Sequence, residues 1–111
     1  MVVQQWNEET LVVRLTDDPV LSEEMAEVSG RLRAGRCDVV VDMSDLTLLA
    51  SSGIAKLLRL RKQMVESGRR LVLCSPQDRV WTVFLAAGLE AIFEFADNVS
   101  EALARIQGGR L

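Results

Sequence analysis

Apolar and polar positions fall into short blocks along this chain, and their period changes from block to block. Leu11-Val12-Val13-Arg14-Leu15 is a β-branched, apolar run, the pattern of a strand. Val2 to Trp6 predicts a preceding strand. The short turn Asn7-Glu8-Glu9 makes the two antiparallel, because so few residues permit no crossover. From Asp18 the period lengthens. Asp18 can cap a helix, Pro19 suits its first position, and Leu21, Met25, Val28 and Leu32 recur at helical spacing until Gly35 ends it. Residues 37–42 hold three consecutive valines, Val39, Val40 and Val41, which suits a central strand covered on both faces.

A second helix is expected over 51–67, with Ile54, Leu57, Leu58, Met64 and Val65 on its apolar face and Gly68 as its stop. Leu71-Val72-Leu73-Cys74 is another strand of the buried kind. Ser75-Pro76-Gln77-Asp78 has the hydroxyl, proline, acid order of a helix start, and Val80, Val83, Phe84 and Ala87 form its core face before Gly88. Ile92-Phe93-Glu94-Phe95 predicts a short strand. Asn98-Val99-Ser100-Glu101 has capping-box spacing ahead of Ala102, Leu103 and Ile106, and Gly108-Gly109 frees the tail. The expected order is β-β-α-β-α-β-α-β-α. That is an α/β protein with a mixed, mostly parallel sheet of about five strands covered by about four helices, joined by right-handed crossovers. No repeat or linker interrupts it, so residues 1–111 are expected to form a single domain.

Composition then removes whole classes of function. The net charge of −3 gives no general attraction to nucleic acid or to anionic lipid. No apolar run approaches the ~20 residues that span a bilayer. The N-terminus lacks a basic region and a small-residue cleavage site, so a cytoplasmic protein is expected. There is no histidine, which excludes His-based triads, phosphohistidine relays and most zinc sites. Cys37 and Cys74 fall at opposite ends of parallel strands, on the order of 12–17 Å apart. That is too far for a disulfide, and both read as buried thiols.

The candidate polar groups are few. Asp42 and Asp45 read as turn-forming aspartates rather than catalytic or metal-binding acids, since no third ligand accompanies them. Lys56, Arg59, Arg61 and Lys62 read as a solvated helix face, with Lys56 and Arg59 meeting an acidic partner as the alternative. Trp81 and Leu85 lie roughly 100° from the stripe of their helix and read as semi-exposed packing, with an interface patch as the alternative. No phosphate-cradling Gly-x-x-x-x-Gly-Lys-Ser/Thr occurs, and no cofactor or metal is expected.

One stretch remains. Asp42-Met43-Ser44, followed by Leu48-Leu49-Ala50-Ser51-Ser52-Gly53-Ile54, resembles the signature of the STAS domain, the anti-anti-sigma factor family. There an Asp-Leu-Ser strand end precedes Asp-Ser-Ser-Gly-Leu. Leu71 to Pro76, Ala87-Gly88-Leu89 with Ile92-Phe93, and Ser100 to Leu103 sit where the family has similar segments. The resemblance implies the STAS fold and an anti-sigma factor antagonist. Such a protein binds an anti-sigma factor with serine kinase activity and so frees a sigma factor. It implies phosphorylation at the second serine of the turn, Ser52, which blocks rebinding and is reversed by a serine phosphatase. With the helix-face reading, the partner-binding set is Asp18, Ser51, Ser52, Gly53, Lys56 and Arg59.

Two departures stand out. The family aspartate before the serines is Ala50 here. The family's Gly-Glu-Leu-Asp loop is Thr16-Asp17-Asp18-Pro19, where Asp18 loosely matches the aspartate. Serine pairs before an apolar helix also serve as plain N-caps, so that role stays open for Ser51 and Ser52. Some single-domain relatives are subunits of ABC transport systems for lipids and bind the ATPase constitutively. The missing acid at Ala50 motivates that alternative. A small enzyme is disfavoured, because no nucleophile–base pair is present.

Overall fold

The computed structural model describes residues 2–17, 30 and 37–108, and its strands follow one another across a single sheet in sequence order. They are β1 (Val2–Asn7), β2 (Thr10–Arg14), β3 (Asp38–Asp42), β4 (Leu71–Cys74) and β5 (Glu94–Ala96). β1 runs antiparallel to β2, as the two-residue turn demands, and β2 to β5 are parallel. Three helices are described: α1 (Ser51–Ser67), α2 (Asp78–Ala86) and α3 (Val99–Gly108), with a 3-10 turn at Leu89–Ala91. The helix expected from Asp18 to Gly35, with its stripe of Leu21, Met25, Val28 and Leu32, lies outside the described residues except for Gly30, which is helical. Gly109 also lies outside them.

Alternation along the strands divides the core in two. Leu11, Val13, Val39, Val41 and Leu73 point to one face and pack with Leu57, Leu60 and Met64 of α1 and Val80 and Phe84 of α2. Val12, Val40, Val72 and Cys74 point to the other and pack with Ala102, Leu103 and Ile106 of α3. All five residues of β3 are buried, which is why its valines come consecutively rather than in alternation. Its ends are aspartates, and each is tied to arginine. Asp38 accepts the Arg70 N–H at 2.8 Å and pairs with Arg69 Nε at 3.3 Å, while Asp42 pairs with Arg14 Nε at 3.5 Å. Buried carboxylates persist only when paired in this way. Cys37 and Cys74 are free, buried thiols, as the strand geometry predicts.

Three local expectations shift. On α1, Leu57 and Met64 are buried and Ile54 packs against the core, but Leu58 and Val65 are exposed and Leu60 takes the core position instead. The Ser75-Pro76 helix start is displaced: α2 begins at Asp78, with Gln77 at its N-cap. Ser75 takes φ +56°, and its hydroxyl donates to the Asp97 carbonyl at 3.2 Å rather than capping a helix. The last strand also begins later than expected. Gly88, at φ +69°, launches the 3-10 turn, and Ile92 and Phe93 follow it as turn and bend where the sequence places the start of a strand. Phe93 is buried and packs edge-on against Phe84 at 5.8 Å, and β5 starts only at Glu94.

The capping-box spacing at the start of α3 is used, with the return bond shifted one residue before the cap. Asn98 Oδ1 accepts the Glu101 N–H at 2.8 Å, and Glu101 Oε2 reaches back to the Asp97 N–H at 3.0 Å.

Candidate functional site: the β3–α1 loop

β3 leaves the sheet at Asp42, and eight residues without helix or strand, 43–50, carry the chain to α1. The loop begins with a side-chain-closed turn. Asp42 Oδ1 accepts the Ser44 N–H at 3.0 Å, the turn-forming role that its residue type predicts. Asp45 is exposed and lies 3.8 Å from Arg14 Nε, so one arginine holds both acids. Met43, Leu46 and Leu49 are buried and anchor the loop from beneath. Side chains from other elements anchor it from the flanks. Gln77 Nε2 donates to the Ser44 carbonyl at 2.8 Å. Asp17, just beyond β2, accepts from the Thr47 N–H at 2.8 Å, the Leu48 N–H at 3.2 Å and the Thr47 hydroxyl at 2.5 Å. The Thr47 hydroxyl and N–H are the main reasons the Asp17 carboxyl sits below the usual carboxylate range.

The helix that follows starts without a cap. Ala50 is the N-cap residue, at φ −89° and ψ 169°, and no side-chain hydrogen bond closes the helix end. Ser51 and Ser52 therefore occupy the first two helical positions, and both are exposed. The capping role left open for them in the sequence is not the one they fill. Gly53 is buried. Ser52, Lys56 and Arg59, at i, i+4 and i+7, share one face of α1. Arg59 is exposed and Lys56 is half-buried. Asp18 lies outside the described residues. Of the expected partner-facing set, the structure thus brings together Ser52, Lys56 and Arg59, with Ser51 beside them on the first turn.

Three features of the site escape the sequence reading. Leu48 is 68% exposed immediately before the serines, an apolar side chain that nothing in a period argument marks as surface. Asp17, a residue outside the expected partner-facing set, holds the loop. Gln77 reads as part of a helix start, yet its amide spans to another loop. A cleft of about 220 Å³ is lined by Asp17, Thr47, Leu48 and Ala50. A wider one of about 650 Å³ is lined by Thr47, Gln77, Asp78 and Arg79. No group of His, Cys, Asp and Glu among the described residues is arranged to hold a metal, and no described helix is long and apolar enough to cross a membrane.

Residues 3–102 match the model of the STAS domain. A putative anti-sigma factor antagonist, BtrV, from Bordetella bronchiseptica is 32% identical over 79 residues, covering 71% of this chain and 68% of that protein. The anti-sigma factor antagonist SpoIIAA in its unphosphorylated form superimposes with a TM-score of 0.83 at 24% identity, over 96% of both chains. The Bacillus cell fate determinant SpoIIAA in its phosphorylated form gives a TM-score of 0.75 at 21% identity, over 95% of this chain and 97% of that one.

Proposed function

From the fact that this chain belongs to the STAS domain family, we propose that it is a cytoplasmic anti-sigma factor antagonist switched off by phosphorylation at Ser52. It acts by binding rather than by catalysis. Its partner is an anti-sigma factor with serine kinase activity, and a serine phosphatase resets it. The observation that carries the reading is the placement of Ser52: an exposed hydroxyl in the first turn of α1, not consumed as a cap. The relative named an anti-sigma factor antagonist supports the partner class.

The physics suits a switch that leaves the fold intact. A phosphate at Ser52 carries about −1.5 to −2 charges. It would stand among the unbonded N–H groups of a helix N-terminus, which favour an anion by roughly 0.3–1 kcal/mol. The first turn of α1 holds no acid to oppose it. A partner surface that receives a neutral hydroxyl must instead desolvate a dianion, which costs far more than one interface contact returns. Exposed Leu48 supplies the apolar contact beside the switch, and Lys56 and Arg59 supply the cationic one.

Incubation with the cognate kinase and ATP, followed by mass spectrometry of the intact and digested chain, tests the site. A single phosphate on Ser52 is expected, and an unmodified Ser52 refutes the switch. A pull-down with Ser52→Asp separates this reading from a constitutive transporter subunit that binds an ATPase, the alternative raised by Ala50. The switch predicts loss of the partner, and the constitutive subunit predicts retention.

A further inference from the structure

Helices usually begin on Ser, Thr, Asp or Asn, whose side chain bonds one of the orphan N–H groups of the first turn. Ala50 cannot. The first intrahelical bond of α1, from the Ile54 N–H to the Ala50 carbonyl at 3.1 Å, thus depends on a residue with no side-chain restraint. Restraint comes from outside the helix. Asp17 grips the backbone two and three residues upstream of Ala50, taking both N–H groups on Oδ1 and the Thr47 hydroxyl on Oδ2. Asp17 and Ala50 line the same small cleft, so the carboxylate stands close to the end of the helix that lacks a cap.

We infer that the Asp17–Thr47 pair is an external cap for α1, holding residues 47 and 48 so that Ala50 meets Ile54 and the two serines stand in a formed first turn. Asp17 is then a positioning residue for the switch. It acts through the backbone of the loop. The consequence for regulation rests on Ser52 being the regulated serine, but the structural claim does not. A formed first turn presents Ser52 in one geometry. A frayed one presents it in many, and a kinase or partner that needs the first geometry pays the difference in ordering the loop.

The test is amide hydrogen exchange by NMR on the whole chain, reading Ile54 against Val40 of the buried central strand as an internal reference for global opening. Asp17→Ala is expected to speed Ile54 exchange relative to Val40 by roughly fivefold or more, the size of a lost cap. Thr47→Val keeps both N–H donors and is expected to move Ile54 less, in the same direction. Adding Ala50→Asp to the Asp17→Ala chain supplies a conventional cap and should restore most of the protection. Unchanged Ile54 exchange in Asp17→Ala overturns the inference, as does a loss that Ala50→Asp fails to restore. If Asp17→Ala opens the whole domain, Thr47→Val decides, and no change at Ile54 relative to Val40 overturns the inference. The kinase readout is separate. Slower modification of Ser52 in Asp17→Ala, recovered by Ala50→Asp, is expected. A wild-type chain that is no substrate at all refutes the Ser52 switch and leaves the exchange result standing.

Discussion

At the scale of single residues, the costliest contacts are the charges at the ends of β3. Asp38 is 4% exposed, accepts the Arg70 N–H and forms an ion pair with Arg69 at 3.3 Å from Nε, with no hydrogen bond at that nitrogen. Asp38→Ala leaves a largely buried cation and a backbone donor without that partner, and should cost about 3–5 kcal/mol. A fall in the urea midpoint at unchanged m measures it. Two surface carboxylates set an acid limb. Asp17 is held below the usual carboxylate range by the Thr47 hydroxyl, and Glu101 by the Asp97 N–H and then Arg105. A carboxyl depressed in the folded state stabilises the fold above its unfolded value and loses that contribution as pH falls through its folded one. Stability should therefore decline on the acid side of the carboxylate range, and Asp17→Asn should flatten part of that decline in a melting-temperature profile. The sequence showed Ala50 as a departure from the family pattern. That Ala50 is the helix cap, and that Asp17 stands beside it, required the backbone, because the Asp17–Thr47 bond joins residues thirty positions apart.

At the scale of elements, what was legible is what is local. α1 was legible at both ends because its period is long and Gly68 terminates it at φ +70°. A Cβ there meets nothing within 4 Å, so Gly68→Ala should cost only the backbone penalty of the left-handed conformation, about 1–2 kcal/mol in chemical unfolding. The cap of α3 was legible for the same reason, since its partners lie within a few residues. The boundary near Ile92 was not. Ile92 and Phe93 look like strand residues, but Phe93 is taken by an edge-on contact with Phe84 of α2, and Ile92 is left exposed. Propensity for the strand is worth less than that burial. Leu58 and Leu60 show the same limit. Both are leucines on one helix, and only the sheet beneath decides which is core.

At the scale of the whole molecule, β3 joins two cores that lie on opposite faces of one sheet. Opening either layer exposes the central strand, so the layers should melt together. Cys74 reports on this. Its thiol is fully buried, and burial pushes its pKa up to about 11, with Asp42 adding to the rise. Its alkylation in the native state should be orders of magnitude slower than in urea, and a core truncation such as Ile106→Ala on the α3 side should speed it in step with lost stability. The β3–α1 loop is held to that body by the buried side chains of Met43, Leu46 and Leu49 and by a few polar ones, and in the proposed switch its function is a change of charge rather than of fold. The most direct measurement is the affinity of the anti-sigma factor for the chain stoichiometrically phosphorylated at Ser52, set against the unmodified chain by calorimetry. Weakening of roughly a hundredfold or more, about 2.7 kcal/mol, is the result expected of the switch. Equal affinity of the two forms would contradict it.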